Sequence, residues 1–91
     1  MNIQKSNTYL RDMSKLKIDI STSIDKTLDL IEENIHHPSL HNKHIQCKRA
    51  NNLFSIRINK QYRILYFKYE EYLELYRLLN HDKYDRLTKD C

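Results

Sequence analysis

The chain has 91 residues, of which 40% are hydrophobic, and its formal net charge is +4 at pH 7. This length supports one modest hydrophobic core, so we expect residues 1–91 to form a single domain. No apolar run approaches the roughly 20 residues needed to span a bilayer, and the first ten residues lack the apolar core of a signal peptide. We therefore expect a cytoplasmic protein without membrane contact.

The absence of glycine and the low number of cysteines exclude or disfavour several kinds of binding site. Glycine is absent, so the glycine-rich phosphate loops of P-loop NTPases and Rossmann dinucleotide domains cannot form. Turns that need a positive φ are expected to use Asn or Asp. Cys47 and Cys91 are too few for a disulfide framework and lack zinc-site spacing, so both thiols are expected to be reduced and incidental. No cofactor and no metal are predicted, although Cys47 with His41 and His44 is a weaker metal-site alternative.

The apolar pattern predicts a short strand and two helices in the first part of the chain. Residues 1–5 alternate apolar and polar side chains, as in a strand. Ser6 or Asn7 can cap a first helix, in which the apolar residues fall at helical spacing. A second apolar stripe over residues 20–35 predicts a longer helix, which Pro38 is expected to end.

Beyond the proline the period of the apolar pattern changes to that of strands. Residues 54–58 alternate apolar and polar side chains, and residues 62–69 are predicted to form a strand that is covered on both faces. A third strand is predicted over residues 72–79 and a weaker one over residues 44–49, with connectors short enough for hairpins. These elements predict an α+β fold, with an N-terminal helical hairpin packed on a small, mainly antiparallel sheet of about four strands.

The middle of the chain is strongly basic. Residues 34–69 contain no Asp or Glu, seven Lys or Arg and four of the five histidines. Such a concentration of positive charge attracts polyanions, of which nucleic acid is the commonest in cells, although a solvated basic surface is the alternative. The candidate RNA-binding residues in this segment are Lys43, His44, Lys48, Arg49, Arg57 and Lys60.

Three residues have the chemistry for RNA cleavage without a metal ion. If the last three strands are antiparallel neighbours, Arg63 and His81 lie near one another at one end of the sheet. Histidine can exchange protons with the ribose 2′-hydroxyl or the leaving 5′-oxygen, arginine can stabilise the phosphate charge, and Tyr84 can stack on a base. Alternatively, Arg63 pairs with Glu74 across two strands, and His81 belongs to an ordinary turn.

Together these residues resemble the RelE/ParE superfamily of type II toxin–antitoxin toxins, over nearly the whole chain. The likeness rests on three segments in order: HPSLHNKHI at 37–45, FSIRINKQYRILYF at 54–67 and HDKYDRL at 81–87. A histidine followed three residues later by an aromatic residue resembles the YafQ-like ribonuclease branch. The chain departs from the family where Cys47-Lys48 and Asn80 replace glycines, and where a second central histidine is not present.

The resemblance implies a RelE-like fold and an mRNA interferase that is neutralised by a cognate antitoxin in a toxin–antitoxin hetero-oligomer. The RelE-like branch cleaves mRNA, usually on the ribosome. The match implies that His81 is the acid–base residue, that Arg63 stabilises the phosphate, and that Tyr84 is the terminal aromatic. Arg57 occupies a strand position at which such toxins contact RNA. Two alternatives stay open: a ParE-like inhibitor of DNA gyrase and a non-catalytic, antitoxin-binding relative.

Overall fold

The computed structural model describes residues 2–16 and 18–91, except the side chains of residues 18 and 19. The described residues form five strands and three α-helices, with one 3-10 turn at Pro38–Leu40 between α2 and β2. In chain order these are β1 (Asn2–Lys5), α1 (Asn7–Ser14), α2 (Ile18–Glu33), β2 (Lys43–His44), β3 (Leu53–Arg57), β4 (Tyr62–Lys68), β5 (Tyr72–Asn80) and α3 (His81–Lys89).

The strands form one sheet in the order β1-β5-β4-β3-β2. β1 runs parallel to β5, whereas the other neighbours are antiparallel. The α+β prediction of a helical hairpin on a mainly antiparallel sheet is thus confirmed, with five strands instead of about four. The first predicted strand is present from Asn2, since Met1 lies outside the described residues.

The two faces of the sheet carry separate apolar clusters. The larger cluster lies under α1 and α2 and includes Tyr9, Ile24 and Ile64, which are fully buried. The smaller cluster lies on the opposite face, where α3 contributes Tyr84 and Leu87. The sheet is therefore the middle layer of the molecule, with the helical hairpin on one side and α3 on the other.

Two tyrosines of the larger cluster differ in their hydroxyl environment. Burial, together with the negative charge of Asp25, raises the pKa of Tyr9 to about 12. Burial likewise raises the pKa of Tyr66 to about 12, although its hydroxyl donates to Asn42 Oδ1 at 2.8 Å. Within the described residues, the buried Tyr9 hydroxyl has no hydrogen-bond partner.

A serine joins the start of α1 to the sheet. The Ser6 hydroxyl accepts a hydrogen bond from the Tyr9 amide at 3.0 Å, as the predicted N-cap should. The same hydroxyl donates to the Tyr76 carbonyl at 3.0 Å, and the Ser6 amide donates to the Leu75 carbonyl at 3.0 Å. This residue therefore fixes the position at which the chain leaves β1 and enters the helix.

Some sequence predictions about element ends are wrong. Helix α2 ends at Glu33, ahead of Pro38, because Asn34 turns the chain with its side-chain oxygen accepting the His36 amide at 3.0 Å. The strand predicted over residues 44–49 is limited to Lys43–His44. Among the described residues, the one positive φ belongs to His41, at 48°, and not to an Asn or Asp.

Helix α3 is the largest departure from the sequence prediction. Residues 81–89 form a helix directly after β5, where an ordinary turn was the alternative considered. Asn80 caps it, since its side-chain oxygen accepts the Lys83 amide at 2.9 Å. The helix places the last predicted site residues on one rigid element.

Candidate active site

Two arginines lie side by side on neighbouring strands. Arg57 at the end of β3 is the direct cross-strand partner of Arg63 near the start of β4, so both project to the same face. Their guanidinium groups donate to one carbonyl, that of Asn59, from Arg57 Nε at 3.3 Å and Arg63 Nη1 at 3.0 Å. The Asn59 side chain accepts the Gln61 and Tyr62 amides at 2.8 and 2.9 Å. One turn residue therefore holds two positive charges together.

These two arginines differ from the arginine of β5. Arg77 is paired with Asp12 of α1, at 2.8 Å from Nε and 3.4 Å from Nη2. In the described part of the chain, the ion pairs are Arg77–Asp12 and His81–Asp85, so neither Arg57 nor Arg63 is paired with a carboxylate. Like charges directly opposite one another destabilise a sheet, and an anionic ligand would relieve the repulsion.

The expected alternative pair of Arg63 with Glu74 is wrong. The register of β4 and β5 places Arg63 opposite Leu79, and Glu74 opposite Phe67. A bulge between Leu65 and Tyr66 shifts this register by one residue but does not bring Glu74 to Arg63. The guanidinium group of Arg63 therefore stays directed to the turn and to α3.

Tyr84 connects α3 to the two arginine strands. The guanidinium carbon of Arg63 lies 5.9 Å from the centre of its ring, within the range of a cation–π contact. The Tyr84 hydroxyl lies 3.0 Å from the Ser55 hydroxyl of β3, and Ser55 is buried. The structure thus places Arg63 and Tyr84 in contact, with the ring held from both sides.

His81 lies one helical turn before Tyr84, on the same side of α3. Its Nδ1 is 3.1 Å from Asp85 Oδ2, and the two side chains are 53% and 59% exposed. A carboxylate at Nδ1 fixes the ring orientation and leaves Nε2 for another partner. His81 also lines a depression of about 290 Å³ with Lys60 of the β3–β4 connection and Tyr62 of β4. This imidazole therefore faces solvent at the arginine end of the sheet.

A larger cleft runs between β2 and α3. It has a volume of about 560 Å³ and is lined by Lys43 and His44 on one side and by Tyr84, Asp85 and Thr88 on the other. Two of the predicted RNA-binding residues thus share a cleft with Tyr84, and both are exposed. The cleft therefore places two basic side chains near Tyr84, whose ring contacts Arg63.

The other predicted RNA-binding residues lie further out. Lys48 and Arg49 are exposed in the turn between β2 and β3, and Lys60 is exposed in the β3–β4 connection. His44 is held in place, since its Nε2 lies 2.9 Å from the Asn51 carbonyl and its ring lies 4.9 Å from that of Phe54. The turn that carries Lys48 and Arg49 leads to the Leu53 end of β3, whereas Arg57 is at the other end, so the basic residues do not form one compact group with the arginine pair.

The sequence pattern does not identify two residues of this site. Asp85, the partner of His81, follows it by four residues, a spacing that carries meaning only once residues 81–89 are known to be helical. Asn59 falls between two predicted strands, and nothing in the sequence indicates that its backbone carbonyl accepts from both guanidinium groups. Among the described residues, no group of three or more His, Cys, Asp or Glu side chains is arranged to hold a metal ion. Nor does any described helix have the length and apolarity of a membrane crossing.

Comparison with solved structures shows where this fold occurs. YafQ from Escherichia coli superimposes with a TM-score of 0.75 and 10% identity, over 91% of this chain and 96% of that one. The E. coli DinJ–YafQ toxin–antitoxin complex gives 0.75 and 13%, over 90% and 93%. The RelBE2 toxin–antitoxin complex from Mycobacterium tuberculosis gives 0.67 and 25%, over 88% and 96%.

The sequence itself carries a family assignment. No curated protein sequence matches the chain. The family model of the ParE-like toxin domain matches residues 25–86, which include the second half of α2, most of α3 and four of the five described strands. The superfamily resemblance found in the sequence is thereby confirmed. The chain belongs to the ParE-like toxin family, within the RelE/ParE superfamily.

Proposed function

We propose that this chain is the toxin of a type II toxin–antitoxin system and acts as an mRNA interferase. The observation that carries the proposal is the Arg57–Arg63 pair, which has no carboxylate partner among the described residues and lies beside Tyr84. A phosphodiester is an anion whose oxygens match the donor geometry of guanidinium groups. The His81–Asp85 pair adds a proton-transfer group at the same end of the sheet.

The proposed reaction is attack of a ribose 2′-hydroxyl on the adjacent phosphate. The P–O bond to the 2′-oxygen forms while the bond to the leaving 5′-oxygen breaks, which leaves a 2′,3′-cyclic phosphate. His81 exchanges protons with these oxygens through Nε2, and Asp85 positions the ring through Nδ1. Arg63 stabilises the charge that develops on the phosphate oxygens. Tyr84 supports a flanking base by stacking or contacts the phosphate through its hydroxyl.

The surrounding cations are proposed to bind the RNA backbone. Exposed lysines and arginines that neutralise phosphates give affinity without reading sequence. The proposed RNA-binding residues are the exposed Lys43, His44, Lys48, Arg49 and Lys60, together with the half-buried Arg57. We propose that mRNA is bound on the ribosome. We also propose that a cognate antitoxin neutralises this toxin in a hetero-oligomer, a proposal supported by the structurally similar DinJ–YafQ and RelBE2 toxin–antitoxin complexes.

The test is a map of transcript ends after induction of the chain in cells. Primer extension is expected to show new cuts within translated mRNA, and purified chain with ribosomes is expected to leave 2′,3′-cyclic phosphate ends. The same assay without ribosomes decides ribosome dependence. Intact transcripts in growth-arrested cells would refute the ribonuclease proposal.

A second candidate is inhibition of DNA gyrase, which the ParE-like family match favours. In that case the chain is a binding protein without chemistry of its own, and its basic face contacts the enzyme or its DNA. Purified chain would block supercoiling in a gyrase assay and leave mRNA intact. Normal growth after induction, with binding to an antitoxin retained, would instead identify a non-catalytic relative.

A further inference from the structure

The two cysteines of the chain, expected from the sequence to be incidental, lie in one apolar cluster. Cys47 is in the turn between β2 and β3, where it forms an isolated bridge with Ala50. Cys91 follows α3, and its amide donates to the Thr88 carbonyl at 3.3 Å. Both side chains are half-buried and pack against the buried cluster that includes Leu53. Two thiols that are distant in sequence thus pack against the same apolar cluster on the α3 side of the sheet.

The two thiols have different reactivity. A hydrogen bond from Cys91 lowers the pKa of Cys47, and the backbone amides of Arg49 and Ala50 act in the same direction. The same contact raises the pKa of Cys91. Because the thiolate is the reactive form of cysteine, Cys47 is the better nucleophile and Cys91 is the nearby second thiol.

We propose that Cys47 and Cys91 are a redox pair that closes to an intramolecular disulfide under peroxide, tethering the end of α3 to the turn before β3. Both side chains are partly exposed, so a small oxidant can reach them. This inference is independent of the proposed function, because it concerns the mobility of α3 and not what the site binds.

Hydrogen peroxide is the oxidant that converts the two thiols to a disulfide. The Cys47 thiolate attacks one peroxide oxygen, the O–O bond breaks, and the departing hydroxide takes a proton to become water. The Cys91 sulfur then attacks the Cys47 sulfur, the S–O bond of the sulfenic acid breaks, and a second water leaves as the S–S bond forms. The two sulfurs lose two electrons in total, and the peroxide gains them.

The bond would join the two walls of the cleft between β2 and α3. Tyr84 and Thr88 form the α3 wall, and Lys43 and His44 form the other. A covalent connection beyond the last turn of α3 restricts how far that helix can separate from the sheet. His81 and Tyr84, which α3 carries, are then held to one position. Oxidation would therefore rigidify the candidate site without changing any of its side chains.

The experiment is oxidation of the purified full chain with hydrogen peroxide, followed by denaturation and alkylation with iodoacetamide. The wild type is expected to lose about 2 Da, take up no alkyl group and yield a peptide linking Cys47 to Cys91. Dithiothreitol should restore two alkylation sites. Since the sequence has two cysteines, C47S and C91S are matched controls that cannot close the bond.

Thermal unfolding tests the tether itself. Oxidised wild type is expected to melt roughly 5–15 °C above its reduced form, because the crosslink constrains the unfolded chain, whereas neither serine variant should gain on oxidation. Two alkylated cysteines after peroxide, intermolecular dimers alone, or sulfinic acid without a crosslinked peptide would overturn the proposal. A disulfide without a rise in melting temperature would overturn its rigidifying role.

Discussion

The hydroxyl groups of Ser55 and Tyr84 lie 3.0 Å apart, one on a central strand and the other on α3. Ser55 is 3% exposed, so this bond satisfies a buried hydroxyl that water cannot reach. It also fixes the Tyr84 ring at the distance from Arg63 that a cation–π contact requires. A polar contact in the smaller apolar cluster therefore sets the geometry of the candidate active site.

The substitution Tyr84→Phe keeps the ring and removes this bond. We expect it to lower the free energy of unfolding by about 1 kcal/mol, because the Ser55 hydroxyl is left buried without its partner. Urea unfolding measures the change. The double variant Ser55→Ala, Tyr84→Phe should be less destabilised than the sum of the two single variants. Additive losses would mean that the two hydroxyls do not interact.

Replacement of the proposed acid–base residue should affect chemistry and not folding. His81→Ala is expected to reduce the cleavage rate by about 10²–10⁴-fold and to relieve growth arrest, because proton transfer is lost. The side chain is half exposed, so the melting temperature should change little. His36→Ala is the matched control, since His36 is an exposed histidine that lines neither the β2–α3 cleft nor the depression beside His81. A His81→Ala variant that cleaves at the wild-type rate would remove histidine from the mechanism.

Substitution of Arg63 should affect cleavage, whereas substitution of Arg77, which is paired with Asp12, should affect stability. Arg63→Ala is expected to abolish cleavage with little loss of stability, and Arg63→Lys should restore only part of the activity because it lacks the planar fork of donors. Arg77→Ala is expected to lower the free energy of unfolding by about 1–3 kcal/mol, since it leaves the mostly buried Asp12 carboxylate without its partner. The reverse pattern would mean that Arg63 is structural.

The outer lysines should change affinity more than chemistry. Lys48→Ala and Lys60→Ala are each expected to weaken binding to RNA of any sequence. Each should also reduce the slope of log K against log salt concentration by about one, the equivalent of one lost phosphate contact. Lys5→Ala is the control, since Lys5 is an exposed lysine of β1, at the edge of the sheet opposite β2. Titrations of binding at several salt concentrations measure the slopes. An unchanged slope for both variants would place the RNA elsewhere on the surface.

Alkaline pH should unfold the chain through its buried tyrosines. The pKa of Tyr9 and of Tyr66 is about 12 in the fold and about 10 in an unfolded chain, so the folded state holds both protons more tightly. Their contribution to stability is present below about pH 10 and falls as the pH rises to about 12, by about 2–3 kcal/mol for each tyrosine. Chemical denaturation between pH 9 and 12 measures this decline.

The phenylalanine variants provide the control for that prediction. Tyr9→Phe is expected to raise stability at neutral pH by about 1 kcal/mol, because it removes a buried hydroxyl that has no partner among the described residues. Tyr66→Phe is expected to lower it by a similar amount, since the Asn42 side chain loses its donor. Each variant should flatten the alkaline decline. Equal slopes in all three chains would show that other groups govern alkaline unfolding.

The sequence predicted those elements whose side-chain pattern is strong. The alternation of β3 and the apolar run of β4 each indicate a strand, and Ser6 marks the start of α1. Helix α3 was missed because its segment is mostly charged and covers the sheet with few apolar residues, so no apolar stripe identifies it. The Asp85 partner of His81 was missed for the same reason. The apolar pattern of a sequence reflects which side chains are buried. A short helix that is largely exposed to solvent buries few side chains and therefore has only a weak apolar pattern.

The parallel pairing of β1 with β5 has a consequence for biogenesis. Ser6 bonds to Tyr76, 70 residues later in the chain, and β1 finds its partner in the strand that begins at Tyr72. During vectorial synthesis the N-terminal strand emerges first and has nothing to pair with until β5 has also left the ribosome. The nascent polypeptide therefore lacks a finished sheet until β5 has been synthesised, and the arginine strands reach their native setting only after that strand is available.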